Sequence, residues 1–179
     1  MKLKPILILT ALLAASYVYG QKEVSDDTLR WRENRRLSWS DFRAEPQTGT
    51  RLAGEAFCRI TGYWDKPYSE ASLKVFAVFD RSESWVNPDA KNDYVLLYFQ
   101  VMFNLYEEYA GKLRLELTSA DPGKDFNSAF QAKYNSIMNS LSDEFTEFSN
   151  DTRMGQDKGA LVRWNKKVND ELKMLEKHR

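Results

Sequence analysis

The sequence predicts an α+β fold in which a short antiparallel sheet precedes three helices. Two segments with alternating apolar residues, 56–64 and 73–79, come early in the chain, and the later part carries apolar residues at spacings of three and four. Strands that come first and helices that follow are typical of the α+β class. About 159 residues follow a predicted leader, which suits one domain with a sizeable core.

The N-terminus is typical of a secretory signal peptide. Lys2 and Lys4 make it basic, residues 5–15 are apolar, and small residues precede Gln21. We predict cleavage after Gly20, which would yield an exported protein, periplasmic or extracellular, with no stable membrane anchor. The apolar run is short for a membrane span, and a retained N-terminal anchor is the alternative.

Charge and cysteine content narrow the classes of partner. The chain has 26 basic and 26 acidic residues, and removal of Lys2 and Lys4 leaves a mature charge of about −2. Without a basic excess or a basic stripe, nucleic acid is not an expected partner. Cys58 is the only cysteine, so no internal disulfide can form, and its apolar neighbours predict a buried small hydrophobe.

The first elements of the mature chain are an arm, a turn and a loop. Residues 21–36 are polar and predict a loose or lightly docked N-terminal arm, which leaves 37–179 as the domain. In the segment L-S-W-S-D-F at 37–42, two aromatic residues can enter a core from a short helical turn. Residues 43–53 contain proline and glycine and predict a loop.

Two strands are expected next. Residues 56–64 and 73–79 are rich in β-branched and aromatic side chains with a period of two. The connection over 65–72 contains a proline and suits an antiparallel pair. Residues 80–88 then lead to the first helix.

Three helices are predicted, over 89–117, 124–148 and 156–177. An Asp-Pro-Gly segment at 121–123 ends the first of them. The other two carry apolar stripes at helical spacing. The stripe residues are Phe126, Phe130, Tyr134, Ile137, Leu141, Phe145 and Phe148 in the second helix, and Leu161, Trp164, Val168, Leu172 and Leu175 in the third.

The run 94–114, Y-V-L-L-Y-F-Q-V-M-F-N-L-Y-E-E-Y-A-G-K-L-R, resembles the core helix of a family of bacterial secreted zinc-dependent proteases. The corresponding run in that family is Y-L-L-x-H-E-Q-x-H-F-D-I-x-E-x-Y-A-R-K-L-R. The family elements L-x-W-x-D-F and D-x-x-x-S-W-V also have counterparts, at 37–42 and 80–86. The resemblance covers most of the mature chain and implies a zincin-like fold, whose central helix carries two zinc-binding histidines and a glutamate base in the motif H-E-x-x-H.

The residues that match the family's scaffold are Trp39, Asp41, Phe42, Ser84, Trp85, Val86, Gln100, Phe103, Tyr109, Ala110, Leu113, Thr152 and Gly155.

The resemblance places the family's chemical groups at positions that this chain has changed. Tyr98 and Met102 stand at the two histidine positions, Phe99 stands at the general base, and Met154 stands at a further histidine in the family element Y-D-x-x-T-x-H-G. Neither a thioether nor a neutral phenol binds zinc usefully, and a phenylalanine cannot accept a proton. His178 is the only histidine. We therefore predict a non-catalytic binding or structural protein without a cofactor; the family implies the alternative, a zinc metallopeptidase.

Three other interpretations of this region are open. By pattern alone, Tyr98 and Met102 are four residues apart and form an ordinary core stripe. Two methionines and a tyrosine could form a soft site for Cu(I). Pairs of carboxylates could support hydrolysis, but their positions on amphipathic helices predict solvated faces. The carboxylates concerned are Glu107, Glu108, Asp143, Glu144 and Glu147.

A binding surface is predicted elsewhere, around Tyr63, Trp64 and Tyr68. Aromatic side chains are common anchors at interfaces, although this chain has enough of them, 13% of its residues, to place many in the core. The expected partner is a protein or peptide. A role as inhibitor or chaperone of an active relative is also open.

Overall fold

The structure, a computed structural model, describes residues 26–64, 73–118 and 126–178. The predicted signal peptide, the connection over 65–72 and the Asp-Pro-Gly segment lie outside these residues. Three antiparallel strands form one sheet, and three long helices follow it. The predicted α+β class is therefore confirmed.

The sheet has the strand order β1-β3-β2, and the first helix is the central element of the fold. The strands are β1 (Thr28–Arg30), β2 (Gly54–Trp64) and β3 (Leu73–Val86), and the helices are α1 (Asp93–Thr118), α2 (Phe126–Asp151) and α3 (Lys158–Met174). Helix α1 packs against both longer strands and against both other helices. It is consequently buried on several sides, in keeping with the apolar residues all round its first turns.

Strand β1 lies within the segment predicted to be a loose arm. Thr28 pairs with Asp80 and Arg30 with Val78 of β3. The next residue, Trp31, is buried, and its indole Nε1 donates to Asn104 Oδ1 of α1 at 2.9 Å. A three-residue strand is too short to show a period of two, so the pattern could not reveal it.

Strand β3 is longer than predicted, because residues expected to form a connection to α1 continue it to Val86. A large bulge separates its two parts: Phe57 of β2 pairs with Asp80, whereas Glu55 pairs with Trp85. The buried Ser84 hydroxyl accepts the N–H of Phe57 at 2.9 Å and donates to the carbonyl of Asp80. Ser84 therefore satisfies backbone groups that the interrupted ladder leaves unpaired.

The turn at Trp39–Asp41 is held by the buried carboxylate of Asp41. This carboxylate accepts the backbone N–H of Ser38 at 2.8 Å, in a capping box. Arg35 binds it with two hydrogen bonds of 2.7 and 3.0 Å, and Arg81 of β3 lies 3.1 Å away. Asp41 thus links the turn to the sheet.

The helices begin and end within a few residues of the predictions. Helix α1 starts at Asp93, not at residue 89, because Pro88–Ala90 forms a separate 3-10 turn and Asn92 Oδ1 accepts the N–H groups of Tyr94 and Val95. Helix α2 continues three residues beyond 148, to Asp151. Helix α3 has Asp157 as its N-cap.

The predicted apolar stripes supply the core between the helices. All five stripe residues of the third helix are buried, and in α2 the buried members are Ile137, Leu141 and Phe148. All of them except Leu175 pack with α1 and with the inner face of β3 in one cluster. No helix in the described ranges is long and apolar enough to cross a membrane.

Candidate functional site

The two positions that the resemblance gives to zinc-binding histidines face α2 and the core. The ring of Tyr98 stacks on Phe148 of α2, with centroids 4.9 Å apart and planes 15° from parallel. Its hydroxyl lies 3.2 Å from Ser149 Oγ, and burial raises the pKa of this phenol. Met102, one turn further along α1, is buried in the main core.

Phe99, at the general-base position, packs in a different direction. It is buried, its ring centroid lies 5.1 Å from that of Phe42, and a Cβ on Gly54 would come within 3.2 Å of its ring. The side chain is therefore part of the contact between α1, β2 and the Trp39–Asp41 turn. A carboxylate at this position would lose its hydration among aromatic rings, which would not compensate its charge.

An unusual turn follows α2 at the place where the family has its further histidine. Three consecutive residues have positive φ angles: Arg153 at 49°, Met154 at 56° and Gly155 at 85°. Non-glycine residues rarely adopt this conformation, and a run of it is rarer still. Such strain persists only where neighbouring contacts fix it, and it is concentrated at functional sites.

The contacts that fix this turn come from Thr152 and from Tyr98. The buried Thr152 hydroxyl donates to the carbonyl of Phe148 at 2.7 Å and accepts the N–H of Gly155 at 3.3 Å. A Cβ on Gly155 would lie 3.1 Å from Tyr98 Cβ and Cγ, so only a glycine lets the turn close over this ring. The turn and Tyr98 are thus brought together, as the resemblance requires.

Met154 does not fill the space next to Tyr98. Its side chain is 67% exposed, whereas the resemblance implies that the side chains of Tyr98, Met102 and Met154 converge around one small volume. The structure brings the backbone of the turn to Tyr98 but presents the methionine to solvent. The left-handed conformation of the turn, which the sequence pattern does not encode for a methionine, accounts for the difference.

These side chains do not fit a zinc ion. The phenol of Tyr98 is committed to Ser149, one thioether is in the core, and the other is at the surface. Over the described ranges, no group of three histidine, cysteine, aspartate or glutamate residues is placed to hold a metal. A Cu(I) site at Met102 and Met154 would require both thioethers to point to one place, and one is buried while the other is exposed.

The exposed surface above Tyr98 is formed by Tyr94, Met154 and Lys158, which we name the Tyr94 surface. Tyr94 is 40% exposed and carries the ammonium group of Lys158 at 4.0 Å from its ring centroid. Met154 is next to Gly155 in the chain, and Gly155 packs on Tyr98, one turn after Tyr94 in α1. Aromatic side chains and methionine are enriched at protein interfaces.

The aromatic surface predicted around Tyr63 is only partly described. Tyr63 is 43% exposed and its ring meets that of Phe76 edge-on at 5.8 Å on the outer face of the sheet. Tyr68 and the side chain of Trp64 lie outside the described part of the structure. Cys58, predicted to be buried, is half-buried and packs against the core, and burial raises the pKa of its thiol.

The prediction of solvated faces is wrong for Glu107 and Glu108, which are both buried. Glu107 Oε2 accepts the N–H of Ala77 at 2.9 Å, and Arg114 lies 2.8 Å from its Oε1. Glu108 Oε1 is paired with Lys112 at 2.6 Å, and desolvation raises the pKa of this carboxyl to about 7. The sequence did contain a signal for this burial. Residues 94–106, directly before the two glutamates, are apolar nearly all round, which indicates a helix enclosed by other elements.

A network of charges between the three helices surrounds Glu108. Glu144 of α2 accepts the hydroxyl of Tyr109 at 2.6 Å and pairs with Lys167 of α3 at 2.8 Å. Lys112 lies 3.9 Å from the same carboxylate and 4.1 Å from the Tyr109 ring centroid. Burial is the largest single influence on the pKa of Glu144 and raises it, but the hydrogen bonds from Lys167 and Tyr109 and the charges of Lys167 and Lys112 together outweigh burial and hold this pKa below its usual value.

Comparison of the chain with protein-family models, with curated proteins and with solved structures finds no match. The resemblance to the secreted zinc-dependent proteases therefore depends on the residues quoted for it. Several of these have clear structural tasks: Asp41 and Ser84 fix the turn and the bulge, Gln100 accepts the N–H of Leu37 at 2.7 Å, and Thr152 with Gly155 closes the turn over Tyr98.

Proposed function

We propose that this protein is a non-catalytic, exported binding protein on a zincin-like scaffold, in which the two ligand positions on the central helix, Tyr98 and Met102, hold packed side chains and the third, Met154, faces solvent. One observation carries the proposal: the ring of Tyr98 is stacked on Phe148, hydrogen-bonded to Ser149 and covered by Gly155. A side chain held in this way stabilises the helix contact and offers nothing to a metal. The scaffold residues Thr152 and Gly155 hold the turn, although the zinc-binding histidines of the family are replaced.

The Tyr94 surface is the part of this region that a partner can reach. Met154 is held at the surface by a strained turn, and strain of this kind is retained where an exposed side chain has a task. Tyrosine and methionine supply large contact area at moderate entropic cost, so the partner is a protein or peptide.

A test of non-catalysis uses the purified mature protein. We expect no stoichiometric zinc by elemental analysis and no chelator-sensitive cleavage of a broad panel of unfolded proteins. One tightly held zinc per chain together with chelator-sensitive cleavage would establish the metallopeptidase and refute the proposal. The family resemblance supports that alternative, whereas the packing of Tyr98 and Phe99 opposes it.

A second experiment tests the Tyr94 surface. A photo-crosslinking amino acid replaces Met154 in one variant and Met174 in a control, because the two methionines are almost equally exposed, 67% and 65%. Expression in the source cell should give a discrete crosslinked product from position 154 that position 174 lacks. Equal patterns from both positions would contradict a specific partner at this surface.

Export is the remaining component of the proposal. It is supported by the basic, apolar and small-residue order of the first 20 residues. N-terminal sequencing of the protein recovered from the cell envelope or medium should begin at Gln21. Recovery of the intact chain from the cytoplasm alone would exclude export.

A further inference from the structure

A cavity of 190 Å³ lies where β1 ends beside β3. Strand β1 pairs with β3 only between Val78 and Asp80, and the last backbone hydrogen bond on this edge runs from Trp31 N to Ala77 O at 3.0 Å. Beyond that bond the chain turns away, and residues 74–76 of β3 line the cavity. The cavity therefore occupies the place that a longer β1 would have taken.

Two side chains of α1 close the inner end of the cavity. Glu107 accepts the N–H of Ala77, and Arg114 binds both the Glu107 carboxylate and, at 2.6 Å, the carbonyl of Val75. The negative charge of Glu107 is thus balanced within the protein. The same two side chains take up edge groups of β3, so a second strand cannot simply continue β1 along this edge.

The remaining charges around the cavity are mostly positive. Arg30, Arg32 and Lys74 line it, and Glu33 is the one carboxylate there besides Glu107 among the described residues. The guanidinium of Arg30 stands 3.9 Å above the centroid of the Phe76 ring, which holds it at the rim. Several cations converging on a concave site favour an anionic ligand.

The size and the walls of the cavity restrict that ligand further. Its 190 Å³ correspond to about six water molecules and fall below the usual range for drug-sized ligands. Trp31, Val75 and Phe76 provide apolar wall. The alternation of an antiparallel ladder directs the N–H of Val75 to the same edge as its carbonyl, so a backbone donor faces the site as well. One amino-acid residue with a carboxylate has the matching size and chemistry.

We propose that this cavity binds the C-terminal residue of a peptide, with its α-carboxylate among Arg30, Arg32 and Lys74 and its apolar side chain against Trp31 and Phe76. Capture of a terminal carboxylate by cations and a backbone N–H is an established mode of peptide recognition. The site lies at the β1 end of the sheet and uses no residue of the Tyr94 surface. Its failure would leave the proposed function unchanged, and the reverse also holds.

The test is a titration of the isotope-labelled mature protein followed by amide and indole NMR shifts. The probe is N-acetyl-Gly-Gly-Leu with a free carboxylate. We expect saturable shifts confined to residues 30–33 and 74–76, with a Kd of order 1 mM because the contact is one residue in size. The same peptide with an amidated C-terminus should bind at least about tenfold more weakly, since it lacks the charge.

Variants identify the cations that bind. Arg32→Gln and Lys74→Gln change exposed residues and should each weaken binding by about threefold or more, whereas Lys91→Gln, an exposed cation elsewhere, should leave it unchanged. A third probe, N-acetyl-Gly-Glu-Gly-amide, carries only a side-chain carboxylate and should bind more weakly than the free acid. Equal shifts with the free and amidated leucine peptides, tighter binding of the glutamate peptide, or no saturable shift would overturn the proposal.

Discussion

The carboxyl group of Glu108 is 1% exposed, and its Oε2 has no hydrogen-bond partner among the described residues. Lys112 on its own helix, Glu144 of α2 and Glu171 of α3 are the charged groups that act on it. Burial raises the pKa of Glu108 to about 7, and the pairing with Lys112 opposes this shift without cancelling it. A proton on Glu108 therefore removes the cost of an ionised carboxylate between three helices.

The pH dependence of stability follows from the direction of this shift. The native pKa of about 7 lies above the usual value of 4.5 for a glutamate, so the folded state binds the proton more tightly. The resulting stabilisation is complete below about pH 4.5 and is lost as the pH rises through 7, with an upper limit of about 3 kcal/mol. We expect the free energy of unfolding, from urea titrations, to fall between about pH 5 and about pH 8.

The variant Glu108→Gln should flatten that profile. A glutamine keeps the shape and an acceptor for Lys112, but it has no proton to lose, so the protein should be more stable than the parent above neutrality. Glu147→Gln is the matched control, because Glu147 is an exposed carboxylate on α2. A profile for Glu108→Gln that still falls as steeply as that of the parent would show that Glu108 does not titrate in this range.

Among the elements, the left-handed turn after α2 depends most on a single residue. Gly155 has φ +85° and a Cβ there would lie 3.1 Å from Tyr98. Gly155→Ala should therefore lower the free energy of unfolding by about 1–3 kcal/mol. Gly159→Ala is the control with the opposite expected sign: it is in α3, its new Cβ would make only ordinary contacts, at 3.5 Å, with Arg163 and Asp157, and alanine favours a helix by up to about 1 kcal/mol. Urea unfolding of both variants at one pH measures the difference.

The bulge in β3 gives a second prediction at this scale. Ser84→Ala removes the acceptor of the Phe57 N–H and should cost about 1–3 kcal/mol in unfolding free energy. Ser82→Ala changes an exposed serine of the same bulge, whose hydroxyl donates to Asp80, and should cost less than about 1 kcal/mol. Equal losses in thermal or urea unfolding would show that the bulge does not depend on the buried hydroxyl.

For the whole molecule, the sequence predicted those features that repeat along the chain. The stripe of α3, from Leu161 to Leu175, repeats often enough to define a buried face, and the order of strands and helices follows from such periods. Strand β1 has three residues and no period, and its position depends on a distant partner, Asn104. The burial of Glu107 and Glu108 had only an indirect signal, the apolar run before them in α1, because it depends on which elements surround the helix.

The site was predictable in part for the same reason. The resemblance implies that the turn at residues 152–155 lies next to Tyr98. In the structure, Gly155 contacts the ring of Tyr98. The orientation of the Met154 side chain depends on backbone angles that a methionine rarely adopts. A sequence motif therefore could not predict that this side chain faces solvent. The cavity beside β1 involves residues from three separate elements and has no linear motif at all.

Restored ligands test whether the whole scaffold is zincin-like. The variant Tyr98→His with Met102→His places two imidazoles one turn apart on α1, which alone gives weak zinc binding. On a zincin-like scaffold, adding Met154→His should strengthen zinc binding at least tenfold, about 1.4 kcal/mol, once the imidazole turns from the solvent-facing orientation of Met154 towards residue 98, which the adjacent Gly155 contacts. Adding Arg153→His instead is the control, since it changes an exposed residue of the same turn. Zinc affinities are measured by competition with a chelator dye. Equal affinities for the two triple variants would contradict the zincin-like arrangement. That outcome would leave the packing of the natural side chains as described.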